Sequence, residues 1–341
     1  MSNLIKHIAS LIPGPGGMVT YLRKSGLPAI FPFYHAVSNV ELPHIKHLYA
    51  SRTINQFEKD LDFLLENFQP LKMSEYLSGI IPEDPKRLPM VLSFDDGLIQ
   101  CYNEILPILL AKGVPAVFFL NNAFIDDMDL FFRFKVSLLV EKLEATTQAE
   151  KEKAAALLHC KIPDIRRRLL GISYVEREIT DQVAEKWGYS FSEYMKKHPV
   201  YLSSMHIRRM LDEGFEIGSH GIDHPMFSLL KKQITIDHIQ ASVQDLKIKY
   251  NLNYRYFAFP FTDQGVEDAT IDHLFKRNII DAGFGTAGLK DDLWPHYYQR
   301  IPMEQLGLDA RKTLRSELNR RRYRLLAGRN NTERFGKSNS R

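Results

Sequence analysis

Two stretches of this 341-residue chain bring together side chains that could do chemistry. The first is SFDDG, Ser93 to Gly97, where Asp95 and Asp96 follow directly on the apolar run PMVLSF. Such a run reads as a short buried strand, and α/β folds collect their sites where strands end. Consecutive residues leaving a strand point different ways, so one Asp can ligate a cation while its neighbour handles a proton. Gly97 then permits a tight turn. Taken alone, Asp-Asp-Gly also makes ordinary surface turns.

The second stretch is GSHGIDHP, Gly218 to Pro225, with His220 and His224 four apart. Two imidazoles at that spacing can meet one metal ion. The glycines and Pro225 argue for a loop after a strand rather than a helix, and Gly221 stands where the helical HExxH pattern has its Glu. Asp96, His220 and His224 together offer one carboxylate and two imidazoles, leaving positions open for water and substrate, as in catalytic zinc sites. Asp95 beside them stays ionised at neutral pH and can accept a proton from water held there. By ligand type the divalent ion expected is Zn²⁺, with nickel, cobalt or manganese also compatible.

The paired motifs resemble those of the polysaccharide deacetylases, also called the NodB homology group or carbohydrate esterase family 4. Their TFDDG-like and H-[ST]-x-x-H signatures are matched by SFDDG and HGIDH, with Gly221 where Ser or Thr is commoner. The resemblance spans about Ile30 to Met303, apart from an insertion. It implies a distorted (β/α) barrel of fewer than eight strands, with Asp95 as base and Asp96, His220 and His224 as ligands. Many members carry an Arg-x-Pro-Tyr type motif whose Arg pairs with the catalytic Asp. Here the strand reads FAFPFTDQG and Ala258 occupies that place.

Phe259, Pro260 and Phe261 are then candidates for lining the substrate groove, or plain strand core. Arg300 is a candidate substrate contact and a candidate partner for Asp95, with surface salt bridging as the plainer reading. A late Leu-x-His motif that supplies the acid elsewhere is missing. The layout is similar to that of the poly-N-acetylglucosamine deacetylases, where a histidine in a Tyr-His pattern on the first strand acts as acid. FYHAVS places His35 there, with His296 in WPHYYQRIPME as the fallback. The activity so implied is metal-dependent hydrolysis of the acetamide of an N-acetylated sugar, whether polysaccharide, oligosaccharide or lipid-linked glycan precursor. A non-sugar amidohydrolase and a catalytically silent carbohydrate-binding barrel are the alternatives.

These residues need elements to position them, and the body of the chain alternates strands with helices in the manner of an α/β protein with a parallel sheet. Strands are expected over Ala29–His35, Pro89–Phe94, Ala116–Leu120, Phe215–Gly218 and Tyr256–Phe259, with shorter ones at Ala282–Phe284 and Arg300–Met303. Helical spacing marks Ile54–Phe68, Asn103–Lys112, Thr235–Tyr250 and Glu267–Arg277. Between Asp129 and Leu211 strand signals vanish and charged helical sequence takes over, which predicts a helical insertion (129–211) covering or bordering the site. The barrel domain is expected over 28–310.

Hydrophobic and charged fractions of 44% and 25% are those of an ordinary globular protein. Two cysteines, Cys101 and Cys160, make no disulfide framework. The start of the chain lacks a signal-peptide pattern, so a cytoplasmic location is expected. Residues 311–341 hold 11 Lys/Arg against 2 Asp/Glu, a basic tail that reads as a solvated end or as a contact for an anionic surface. Residues 1–27 contain an amphipathic face (Leu4, Ile5, Ile8, Leu11, Ile12) that would suit peripheral contact with the inner face of a membrane. No base-reading module or aromatic platform is present, so no nucleic-acid partner is expected.

Overall fold

The computed structural model describes residue 22, residues 26–80, residue 84, residues 87–332 and residue 334. Its strands are β1 (Pro32–Tyr34), β2 (Phe68–Pro70), β3 (Leu88–Met90), β4 (Leu92–Phe94), β5 (Ala116–Leu120), β6 (Glu216–Ser219), β7 (Tyr256–Ala258), β8 (Ala282–Gly285), β9 (Tyr297–Gln299) and β10 (Ile301–Pro302). Eight of them form one sheet in the order β10-β1-β4-β5-β6-β7-β8-β9, while β2 and β3 make a separate ladder. Every pairing is parallel. Runs such as AVFFL suit this arrangement because a parallel sheet is covered on both faces and its strands are apolar throughout.

The two edges of the sheet are one piece of chain. Only Arg300 separates β9 from β10, so a single run pairs with β8 in its first half and with β1 in its second. The Arg300 N–H donates to the Gly285 carbonyl at 3.1 Å, and the next N–H, of Ile301, donates to Phe31 at 2.8 Å. The eight strands, drawn from seven runs of chain, are nearly closed into a barrel, one strand element more than the expected count below eight allows. Sequence pattern finds the second half of this closing run but misses the first. Trp294-Pro295 precedes it and Gln299 ends it, so it lacks the apolar continuity that marks the other strands.

Strand alternation divides the core. Phe31, Val91, Val117, Phe119, Ala258, Ala282 and Phe284 pack together in one cluster. Leu92, Phe94, Phe118 and Ile217 pack in another, with Phe57, Leu61, Leu64 and Leu109 of the surrounding helices. Neighbouring residues such as Val91 and Leu92 fall in different clusters, as the period of two requires. The helix Ile54–Asn67 begins in a reciprocal cap: the Gln56 N–H donates to Thr53 Oγ1 at 3.2 Å and the Thr53 N–H to Gln56 Oε1 at 3.0 Å.

Helices Phe132–Lys142, Gln148–Leu157, Ile165–Leu170, Ile179–Lys186 and Phe191–Lys197 build a core of their own around Phe134, Leu139, Leu158, Leu169 and Trp187. The last helix of the expected insertion, Ser204–Asp212, differs. Its Ile207 and Met210 sit in the barrel cluster, which makes it the crossover from β5 to β6.

The basic tail is largely a packed element. Residues Ala310–Leu326 form a helix whose Leu314 and Leu318 join the barrel cluster. Its first N–H donates to Asp60 at 2.7 Å, Arg321 pairs with Asp291 at 2.7 Å, and buried Arg334 pairs with Asp263 and Asp292. Arg321 and Arg334 are therefore neutralised inside the fold, while Arg311, Lys312, Arg322 and Arg329 are exposed. The amphipathic segment 1–27 lies outside the described residues, apart from Leu22, Gly26 and Leu27; Leu22 and Leu27 are buried in the barrel cluster. Among the described residues no helix is long and apolar enough to cross a membrane.

Candidate active site

The C-terminal ends of the parallel strands open into one cavity of about 460 Å³. His35 follows β1, Asp95 and Asp96 follow β4, His220 and His224 follow β6, and Phe259 and Phe261 follow β7; all line it. Simple alternation would send Asp95 and Asp96 to opposite faces. A left-handed backbone at Asp96 (φ +71°) turns the chain so that both carboxylates reach the cavity. His224 (φ +57°) and Phe261 (φ +57°) hold the same unfavourable conformation. Strain of this kind persists only where the surroundings fix it, and three of the eight non-glycine residues with positive φ among the described residues line this cavity.

Asp96, His220 and His224 are all buried, and one ligand atom from each lies within 4.8 Å of the others. Asp96 Oδ1 stands 3.2 Å from His224 Nε2 and 3.6 Å from His220 Nε2, yet accepts no hydrogen bond. The His220 Nδ1–H donates to the Ala258 carbonyl at 2.8 Å, which leaves the Nε2 lone pair facing Asp96. Burial lowers the His220 imidazole to about 4, so it is neutral at pH 7. Burial by itself would raise the Asp96 carboxyl, but His224, His35 and His220 outweigh it and hold it well below the usual range. A buried carboxylate oxygen without a donor, beside an oriented imidazole lone pair, is a donor set that fits a divalent cation.

Gly221, where the related motif favours Ser or Thr, has φ +86°, a conformation side chains rarely take. The loop is held instead by Ser219, whose hydroxyl accepts the Gly221 N–H at 3.1 Å and donates to Ser242 Oγ at 2.8 Å. Asn121 adds a bond from Nδ2 to the His220 carbonyl at 2.6 Å.

Asp95 is wired differently. Arg300 donates to both of its oxygens, Nη1 to Oδ1 at 2.6 Å and Nη2 to Oδ2 at 2.8 Å, with both side chains buried. The guanidinium also donates to Ser93 Oγ at 3.2 Å and lies over the Phe33 ring. Burial would raise the Asp95 carboxyl, but Arg300 and His220 hold it below its ordinary value. Arg300 has no exposed surface, so neither the substrate contact nor the surface salt bridge expected from sequence is possible for it. It fills the electrostatic place that Ala258 leaves empty, from the strand that closes the barrel.

His35 is partly exposed to the cavity, and its Nδ1 meets Glu304 at 2.5 Å. The same carboxylate accepts the His35 and Ala36 N–H groups, each at 2.9 Å. Burial pulls the imidazole down, but Glu304, followed by Asp96 and Asp95, raises it to about 9. Arg52 anchors the segment bearing Glu304 by donating to the Met303 carbonyl at 2.5 Å. His296, the fallback acid, is exposed just before β9, at the opposite end of the barrel from the cavity.

Phe261 borders the cavity and packs 4.5 Å from the His224 ring, with Phe131 of the insertion 4.3 Å from that ring on another side. Pro260 is buried and does not line the cavity; Phe259 does. Leu48, Tyr49, Phe131 and Arg133 complete the walls without any sequence signal to announce them. The insertion also grips the histidine loop itself. Tyr174 donates to Asp223 at 2.8 Å, and Arg177 lies 3.7 Å from the same carboxylate.

The sequence matches the family described as polysaccharide deacetylase over residues 83–162 and 176–276, more than half of the chain. The chain belongs to that family. Membership makes it a hydrolase of the class that removes N-acetyl groups from sugars, with an N-acetylated glycan as substrate. The match includes both motifs, but His35, Arg300 and Glu304 lie outside it. No curated protein matches the sequence. Among solved structures, the Streptococcus pyogenes deacetylase PplD in complex with acetate is similar at a TM-score of 0.55 and 14% identity, over 85% of this chain and 97% of that one. IcaB from Ammonifex degensii is similar at 0.52 and 15%, over 86% and 97%. At these identities the likeness is one of fold.

Proposed function

We propose that this deacetylase is metal-dependent and hydrolyses the acetamide of an N-acetylated sugar, with Asp96, His220 and His224 holding one divalent cation, zinc by ligand type. The observation that carries the reading is the unequal wiring of the two adjacent carboxylates. Asp95 takes one hydrogen bond on each oxygen from a buried guanidinium, whereas Asp96 keeps an oxygen without a donor opposite two imidazoles.

When bound, the cation supplies Lewis-acid polarisation of the acetamide carbonyl and makes its water more acidic. Asp95, kept ionised by Arg300, accepts a proton from the attacking water. His35 enters protonated, because Glu304 stabilises its imidazolium, and gives that proton to the departing nitrogen as the C–N bond breaks. Acetate and a free amino sugar leave. Phe131 and Phe261 narrow the cavity on either side of His224 and limit the access of bulk water.

The first test is metal content. Purified protein should carry about one divalent ion per chain, and the His220→Ala/His224→Ala double variant none. Absence of bound metal in the wild type, even after supply of zinc, nickel, cobalt and manganese, would falsify the reading. With metal bound, release of acetate from N-acetylated oligosaccharides should be lost in the same variant.

A further inference from the structure

The insertion places a cation in the cavity wall that the mechanism above does not use. Arg133, in the first turn of the helix Phe132–Lys142, lines the cavity next to Phe131. Its Nη1 donates to two backbone carbonyls at the end of the helix Ile165–Leu170, Leu170 at 2.8 Å and Ile172 at 3.3 Å. Those bonds fix the guanidinium but leave its charge unbalanced. Among the described residues no carboxylate lies within ion-pair distance of it, and burial alone acts on it, lowering its pKa.

Other basic groups in this part of the molecule do have acidic partners. Arg300 has Asp95, Arg52 has Asp60, Lys135 has Asp129 and Asp181, and Arg177 has Asp223. A guanidinium carries five N–H donors in a rigid fork, and the two carbonyls occupy only one of its nitrogens. A half-buried charge without a counterion is unfavourable unless a ligand supplies one. In the wall of a substrate cavity, that ligand is a group on the substrate.

Resting on the deacetylase reading, we infer that Arg133 is a cationic subsite that receives an oxyanion, a carboxylate or a phosphate ester, carried by the substrate near its acetamido group. Bidentate recognition of either oxyanion is what the guanidinium fork does well. The subsite belongs to the insertion, because both carbonyls that fix it come from there. The barrel would thus supply the reaction and the insertion part of the choice of glycan.

The test uses full-length, metal-loaded protein and three N-acetylated oligosaccharides of equal length: one neutral, one containing a uronate and one bearing a phosphate ester. Both kcat/KM for acetate release and Kd are measured. Wild type should favour one acidic substrate over the neutral one by about 10- to 100-fold, the range expected for a hydrogen bond to a charged group. The favoured acidic substrate identifies the source of the oxyanion. Arg133→Gln should bring the ratio to within about threefold of unity, and Arg133→Lys should restore part of it. A flat ratio in wild type overturns the inference without need of any variant. So does an Arg133→Gln variant that melts at lower temperature with its ratio unmoved, which would mark the residue as a staple for the 170–172 turn. Acetate release from the neutral sugar with a flat ratio would leave the deacetylase reading standing. Tighter binding of an acidic sugar by wild type than by Arg133→Gln, with no turnover of any substrate, would leave the subsite standing and sink that reading.

Discussion

Arg300 shows how much one buried side chain can control. Its guanidinium keeps Asp95 ionised, and removing either partner leaves the other charge buried and alone. Breaking such a pair typically costs about 3–5 kcal/mol. Asp95→Asn should lower turnover by about 10²- to 10⁴-fold, the usual worth of a general base, while metal stays bound. A calorimetric scan should also find the variant less stable, and Asp95→Asn/Arg300→Met should recover part of the loss. Retained activity in Asp95→Asn would remove Asp95 from the base role.

The histidine on the other side of the cavity makes a pH prediction. The His35 pKa is raised in the folded protein from 6.5 to about 9. Its stabilising contribution is therefore complete below about pH 6.5 and is lost as pH rises through about 9. Glu304→Gln should shift the alkaline limb of kcat/KM to lower pH; an unmoved limb would assign it to another group. His35→Ala should damage amide hydrolysis more than hydrolysis of an activated ester, whose leaving group needs no acid. The Asp and His motifs were legible because each is a local string at the end of a strand. Arg300 and Glu304 lie 205 and 269 residues from the partners they serve, and no local pattern reports pairing over that distance. The sequence raised Arg300 among several readings and left Glu304 unmarked.

At the scale of elements, the histidine loop takes its shape from two sides. Ser219 and Asn121 hold it from the sheet, and the insertion holds it from outside through Tyr174 and Asp223. Asp223 stands next to His224, so loosening it moves a proposed ligand. Asp223→Ala and Tyr174→Phe should each weaken affinity for the proposed cation. A competitive chelator titration measures this, and unchanged affinity would make the grip incidental. The insertion expected over 129–211 takes in nearly all of a helix that packs with the barrel. The helix Ser204–Asp212 continues the same charged helical texture, and only its packing, with Ile207 and Met210 against the sheet, assigns it to the barrel.

For the molecule as a whole, the C-terminal helix is a structural part. Net charge along the sequence suggested a free basic end, yet Leu314 and Leu318 lie four apart on a face that the charge count conceals. Leu314→Ala should cost about 2–5 kcal/mol in denaturant unfolding, as for other fully buried leucines. A loss below about 0.5 kcal/mol would mean that the helix is dispensable to the barrel.

The closing strand ties competence to completion. During synthesis both signature motifs emerge long before Arg300, so a nascent chain can carry every proposed metal ligand while Asp95 still lacks the guanidinium that offsets its burial. The same six residues then seal the sheet and pair Asp95 as it is buried. Because this contact spans 205 residues, it forms late and slowly relative to local structure. A chain ending before Tyr297 should therefore lose acetate release while keeping the proposed ligand residues.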